Sequence, residues 1–188
     1  MGTKKFDDSD ERYTYADYAK WDDQRCELID GKPYLMVMDG ASFAHQRISV
    51  NFCVLLGSFL KGKSCKVFHA PFDVRLNFNT ADNNVFQPDI MVVCDPSKLD
   101  DKGIKGAPEM VVEIVSPSSS KKDMFLKYQR YQKYGVGEYW IVFPEEKIVH
   151  VHLLKDGEYR VTAYGDDNEI PVNTLEGLKM SIADIFAD

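Results

Sequence analysis

The chain has no CxxC pair: its four cysteines, Cys26, Cys53, Cys65 and Cys94, are scattered along it. That spacing argues against a zinc site or a disulfide framework, and Cys53 and Cys94 lie in apolar runs where a free thiol packs as a small hydrophobe. No apolar run approaches the length of a membrane span, and the opening MGTKKFDDSDER has no signal-peptide core. Phe6 stands where a myristoylation signal needs Ser or Thr. These absences predict a reduced, cytoplasmic setting. Acidic residues outnumber basic ones, 30 to 23. A net charge of −7 and a pI near 5.1 argue against a protein that coats nucleic acid non-specifically, while leaving room for a local basic groove. Repeats, low-complexity tracts, zinc fingers, recognition-helix motifs and the aromatic-basic interleaving of single-strand binders are missing too.

What remains is globular. With 188 residues, 44% hydrophobic and 28% charged, the composition predicts one ordinary domain over 13–188 behind a flexible arm, 1–12. Thr14 and Asp17 predict a capping box opening a short helix through about Asp23. CELIDGKPYLMVM reads as two strands turning at Asp30-Gly31. Ser42 caps a helix running to about Gly62, with Phe43, Ile48, Phe52, Leu55, Leu56 and Phe59 at helical spacing. CKVFHA and FDVRLN are strands joined at Pro71, VFQPDIMVVC is one further strand, and Ser97 to Pro108 is a loop. EMVVEIV is the central strand, SPSS a turn, and Ser120 to Tyr134 a helix ended by Gly135. Three strands, EYWIVFP, KIVHVHLL and EYRVTAY, and a short helix from Ser181 to Phe186 complete an α/β domain with a mixed sheet.

Two acids are out of place in this pattern. Glu113 stands inside MVVEIV and Asp89 heads DIMVV, each beside apolar residues that a sheet would bury. A buried carboxylate costs several kcal/mol unless something compensates for it. Either acid alone admits a bland explanation, a strand cap or a pairing with a buried Arg or Lys. Together they ask for a shared one, and a hard cation such as Mg²⁺ is commonly held by one or two carboxylates. Glu27, between Cys26 and Leu28, poses the same question. Asp123, Lys127 and Tyr131 fall on one helical face, so Lys127 can reach back toward the acids. Lys121, Lys122, Arg130 and Lys133 form either a solvated face or a phosphate-contacting one.

The ordered set ELIDG, HQRIS, QPDIMVV, EIVSPSS and KYQRYQKYGVGEYWIVFP resembles the Uma-two family of bacterial restriction-endonuclease-like proteins, within the PD-(D/E)XK nuclease superfamily. The resemblance runs from about Tyr13 to Leu154. It implies a PD-(D/E)XK restriction-endonuclease-like fold, a mixed central sheet flanked by helices. It further implies an endonuclease hydrolysing phosphodiester bonds, with DNA as the expected partner and Mg²⁺, or Mn²⁺ in its place, as cofactor. Asp89 and Glu113 become the paired metal ligands, Glu27 a third acid on the metal, and Lys127 the catalytic lysine. Val115 stands where the superfamily's strand lysine belongs, so Lys127 replaces it from the helix. His45 and Gln46 match the HQ segment and read as structural or substrate-side contacts. Ser116 and Ser118 offer hydroxyls to a phosphate, and Tyr131 packs or hydrogen-bonds near Lys127.

Two rival readings stay open. One is a catalytically silent binding or assembly module on the same scaffold, with the acids neutralised internally. The other is a hydrolase of small phosphate substrates. His150 and His152 alternate along KIVHVHLL as sheet-face residues, and this strand, taken as an uncovered edge, predicts a homodimer.

Overall fold

The computed structural model describes residues 11–21, 26–35, 42–78, 81–116, 121–166 and 168–188. Helix α1 (Tyr15–Tyr18) begins at the Thr14/Asp17 capping box and is followed by strands β1 (Cys26–Ile29) and β2 (Lys32–Leu35). Their turn, Asp30-Gly31, has positive φ at both residues, 52° and 77°, the geometry a two-residue hairpin demands. Helix α2 (Phe43–Leu60) is capped by Ser42, whose Oγ accepts from the His45 N–H at 3.1 Å. Six short strands follow: β3 (Lys66–His69), β4 (Asp73–Arg75), β5 (Val85–Phe86), β6 (Ile90–Val93), β7 (Leu99–Asp100) and β8 (Gly103–Lys105). Then come β9 (Met110–Ile114), helix α3 (Lys121–Tyr134) and strands β10 (Glu138–Phe143), β11 (Ile148–Lys155) and β12 (Glu158–Tyr164). A hairpin of β13 (Glu169–Pro171) and β14 (Lys179–Ser181) leads into α4 (Ile182–Ile185).

Two six-stranded sheets carry the architecture. One runs β12-β11-β10-β9-β6-β3 and is mixed, because β9 and β10 are parallel while its other neighbours are antiparallel. The other runs β2-β1-β5-β4-β8-β7. Period-two alternation assigns the first sheet's faces. Ile90, Val92, Met110, Val112, Ile114 and Trp140 pack with Ile48, Phe52 and Leu56 of α2. Phe52 meets Trp140 edge-on, with ring centroids 5.9 Å apart. Met91, Val93, Val111, Tyr139 and Ile141 point the other way, into a second cluster with Phe86 and Val74 of the other sheet and Tyr131 of α3. A mixed central sheet flanked by helices is therefore present, with the second sheet closing one face.

Several expectations are corrected. VFQPDIMVVC is not one strand but two in different sheets. Pro88 has no N–H for a ladder, and the Gln87 N–H is drawn to Glu27 instead. The segment 97–108 is not merely a loop, since it contains β7 and β8. KIVHVHLL is not an edge: β11 lies between β10 and β12, and the open edge beside it belongs to β12. Nor is Cys94 packed as a free thiol, and the expectation against disulfides fails at one pair, Cys65 and Cys94. The register Lys66↔Val93 puts them opposite each other one step beyond the ladder, and they form a disulfide, while Cys26 and Cys53 are free. The first helix stops at Tyr18, with Ala19 as its C-cap, short of the expected Asp23. Residues 1–10 of the expected arm, Met36 to Met38 of the hairpin and the turn at 117–120 lie outside the described residues. Among the described residues no helix is long and apolar enough to cross a membrane.

Gly103 shows how tightly the second sheet is built. At φ 141°, a Cβ there would stand 2.2 Å from the Asp73 carbonyl oxygen. Gly103→Ala should cost about 3 kcal/mol or more, through strain and displacement of β8 from β4. Gly157→Ala, in a turn with nothing within 4 Å of the new methyl, should cost only about 1 kcal/mol. Urea unfolding of the two variants checks the contrast.

Candidate active site

The acids converge at the junction of the two sheets and α3. Glu113 shares the parity of Val111 and so faces the second cluster rather than α2. Glu27, only 5% exposed, comes from β1 on the facing sheet. Between them stands the Lys127 ammonium, 2.9 Å from Glu27 Oε1 and 3.0 Å from Glu113 Oε1. One helical turn further along α3, the fully buried Tyr131 donates its hydroxyl to the same Glu113 oxygen at 2.8 Å. The i, i+4 spacing of Lys127 and Tyr131 is what lets two donors of one helix meet one carboxylate. Arg130, on the flank of α3, ties it to the β1–β2 turn by hydrogen bonds from two nitrogens to the two Asp30 oxygens.

Asp89 heads β6 beside this group. Its Oδ2 accepts the Ile114 N–H at 2.7 Å, so the main chain next to Glu113 orients it. Its Oδ1 lies 3.3 Å from His45 Nε2, on the first turn of α2. The other ring nitrogen of His45, Nδ1, is buried without a hydrogen-bond partner. Gln46 is exposed, Ser116 is half-buried, and Ser118 falls outside the described residues.

One residue that pattern reading passes over is Gln87. Its N–H donates to Glu27 Oε1 at 2.9 Å, and its side-chain amide donates to the Tyr18 hydroxyl at 3.0 Å and Asp73 at 2.9 Å. The only signal in the sequence is its place ahead of Pro88-Asp89. Its role depends on a donor 60 residues from its acceptor, which local pattern cannot show.

Charge in this pocket does not balance. Three carboxylates, Glu27, Asp89 and Glu113, face one lysine and one histidine. Burial pushes the Glu113 carboxyl up. Lys127 pulls it back, Asp89 and Glu27 push it further, and the balance stands at about 7. For Lys127 burial disfavours the charge, but Glu113 and Glu27 outweigh it and hold the ammonium well above its ordinary range. The hydrogen bond to Asp89 raises His45, burial opposes it, and the charges of Asp89 and Glu113 add to the rise. Burial raises Tyr131 as well, so it stays a phenol and a donor.

Among the described residues no three His, Cys, Asp or Glu side chains are gathered as a metal cluster. The donor chemistry nevertheless fits a hard divalent cation at two acids. The register Ile90↔Val112 sets Asp89 opposite Glu113 one step further along, and both side-chain donors on Glu113 share one of its two oxygens. Glu27 fits less well as a direct ligand, because its Oε1 is held by both Gln87 and Lys127.

Replacing Lys127 by Met should destabilise the cation-free protein by about 3 kcal/mol, since two buried acids lose their counter-charge. The penalty should be larger at pH 8 than at pH 6. Glu113 already titrates high, so a proton can replace the lysine at the lower pH. Urea unfolding at the two values measures it.

A family model described as "Putative restriction endonuclease" matches residues 14–183. A protein of Synechocystis sp. named "Uncharacterized protein slr1290" is 25% identical over 175 residues, covering 90% of this chain and 89% of that protein. The crystal structure of "a putative nuclease belonging to DUF820" from Anabaena variabilis has the same fold, with a TM-score of 0.74. It is 22% identical, and the match covers 92% of this chain and 97% of that one.

Proposed function

The chain belongs to the Uma2 family of restriction-endonuclease-like proteins, and on that premise we propose that it hydrolyses phosphodiester bonds in DNA with a divalent cation held by Asp89 and Glu113. The observation that carries this reading is the surplus of buried carboxylate. A fold that needed only an internal ion pair would have no use for a third acid, nor for a Glu113 driven up to about 7. A bound Mg²⁺ or Mn²⁺ would relieve that repulsion and supply Lewis-acid activation of water and phosphate.

The chain's own residues do the rest. Lys127 enters protonated, so it serves as a hydrogen-bond donor and counter-charge for the phosphate oxygens as negative charge grows on them. A lysine held so far above its ordinary range does not take the water's proton. Glu27 is a positioning residue, keeping the ammonium charged and aimed while being held by Gln87. Tyr131 fixes the Glu113 carboxylate from behind. His45, above its ordinary pKa, offsets part of the charge on Asp89 from the side of α2. Lys133, exposed in the last turn of α3, and Arg130 beside it add local positive charge for the approach of a polyanion to a protein of net charge −7.

The pairing of Lys127 with both Glu27 and Glu113 also suits a silent module whose acids are neutralised internally, and one experiment separates the two. Nicking of supercoiled plasmid should appear only with Mg²⁺ or Mn²⁺, vanish in Asp89→Ala, and fall by about 10²-fold or more in Lys127→Ala. It should weaken as pH drops below 7, where a proton competes with the cation at Glu113. Nicking that survives Asp89→Ala would exclude the site, and its absence from the wild type with every metal and polynucleotide would favour the silent module.

A further inference from the structure

β12 is the last strand of its sheet, and no described strand pairs with its outer edge. The β11–β12 hairpin fixes which of its backbone groups face outward. Asp156 and Gly157, at φ 53° and 81°, form a two-residue turn closed by Lys155 and Glu158. The closing pair of such a turn is hydrogen-bonded, and bonded and non-bonded pairs alternate from there. Glu158, Arg160, Thr162 and Tyr164 therefore bond inward to β11, while Tyr159, Val161, Ala163 and Gly165 turn outward.

Two of those four N–H groups are already taken. Tyr159 donates to Gln132 Oε1 at 3.2 Å, and Gly165 donates to Asn168 Oδ1 at 3.2 Å. Val161 and Ala163 remain between them, in a run where Arg160 to Ala163 are all exposed, Val161 by 52%. The strand sequence EYRVTAY has neither the proline nor the lysine that commonly guards an edge.

The open window is symmetric about Thr162. An antiparallel copy on a two-fold axis through Thr162 sets Val161 against the partner's Ala163, and Ala163 against the partner's Val161. The ladder gains four N–H···O bonds and stops where Gln132 and Asn168 cap it. The same register sets the partner's Arg160 opposite Tyr164 in a non-bonded pair, where side chains approach most closely. Tyr164 lines a cavity of about 510 Å³ whose walls include Phe186, Glu146, Asp166 and Lys147, so that carboxylates outnumber the one ammonium there. An aromatic ring and two carboxylates are suitable partners for a guanidinium. We infer that the chain forms a two-fold dimer through β12, in which each Arg160 enters the cavity of the other copy.

Light scattering and sedimentation velocity test it on the full chain. The wild type should have twice the 21.5 kDa chain mass. Val161→Pro removes an outward N–H and no bond to β11, and Arg160→Glu brings a carboxylate to an acidic cavity. Each should weaken association at least about tenfold with an unchanged far-ultraviolet circular dichroism spectrum. Adding Glu146→Lys to Arg160→Glu should restore the dimer. If the proline variant fails to fold, the charge pair decides alone. A wild type that stays monomeric up to its solubility limit, or a dimer that survives Arg160→Glu and is indifferent to Glu146→Lys, would overturn the inference.

Discussion

A single ammonium group shared between two buried carboxylates holds the centre of this protein together. Lys127 reaches Glu27 on one sheet and Glu113 on the other, so one side chain of α3 links all three layers. Neither acid could stay charged in that setting without it, and α3 could not slide without separating it from them. Tyr131 and Arg130 add donors on the same helix, one to Glu113 and one to Asp30. Because the lysine comes from a helix, position 115 on the strand is released from polar duty. Val115 packs against the second apolar cluster, and its N–H continues the sheet to the Val142 carbonyl at 2.9 Å.

That arrangement is tense as well as cohesive. Strand alternation delivers Glu113 to the same face as the apolar residues around Tyr131, and the Ile114 N–H draws Asp89 alongside it. Burial, with the charges of Asp89 and Glu27 added to it, outweighs Lys127 and holds the Glu113 carboxyl at about 7. On the proposed function, stability and activity oppose each other here. A fifth apolar residue of β9 in place of Glu113 would simplify the core and remove the feature that suits it to a cation.

Much of this was legible in the sequence wherever the cause was local. Asp30-Gly31 announces its turn, Ser42 its helix, and the acids in MVVEIV and DIMVV stand out against their apolar neighbours. The i, i+4 spacing of Lys127 and Tyr131 foretells their common face. What stayed hidden depends on contacts distant in sequence. Gln87 matters because its N–H meets Glu27, and Cys65 meets Cys94 only through the β3–β6 register. Strands as short as β7, β8, β13 and β14 have too few residues to display a period of two. The edge position passed from β11 to β12 because strand order is a property of the whole sheet, not of either segment.

The charge state of Glu113 decides most directly whether a cation belongs at this site. Carbon-13 labelling of the glutamate carboxyls, with Glu113→Gln to assign the resonance, would follow its titration with and without Mg²⁺. The expected result is a carboxyl that titrates near 7 in the free protein and moves down when Mg²⁺ is added. A Glu113 that titrates in the ordinary carboxylate range and ignores Mg²⁺ would contradict it, leaving Lys127 and Tyr131 as its compensation.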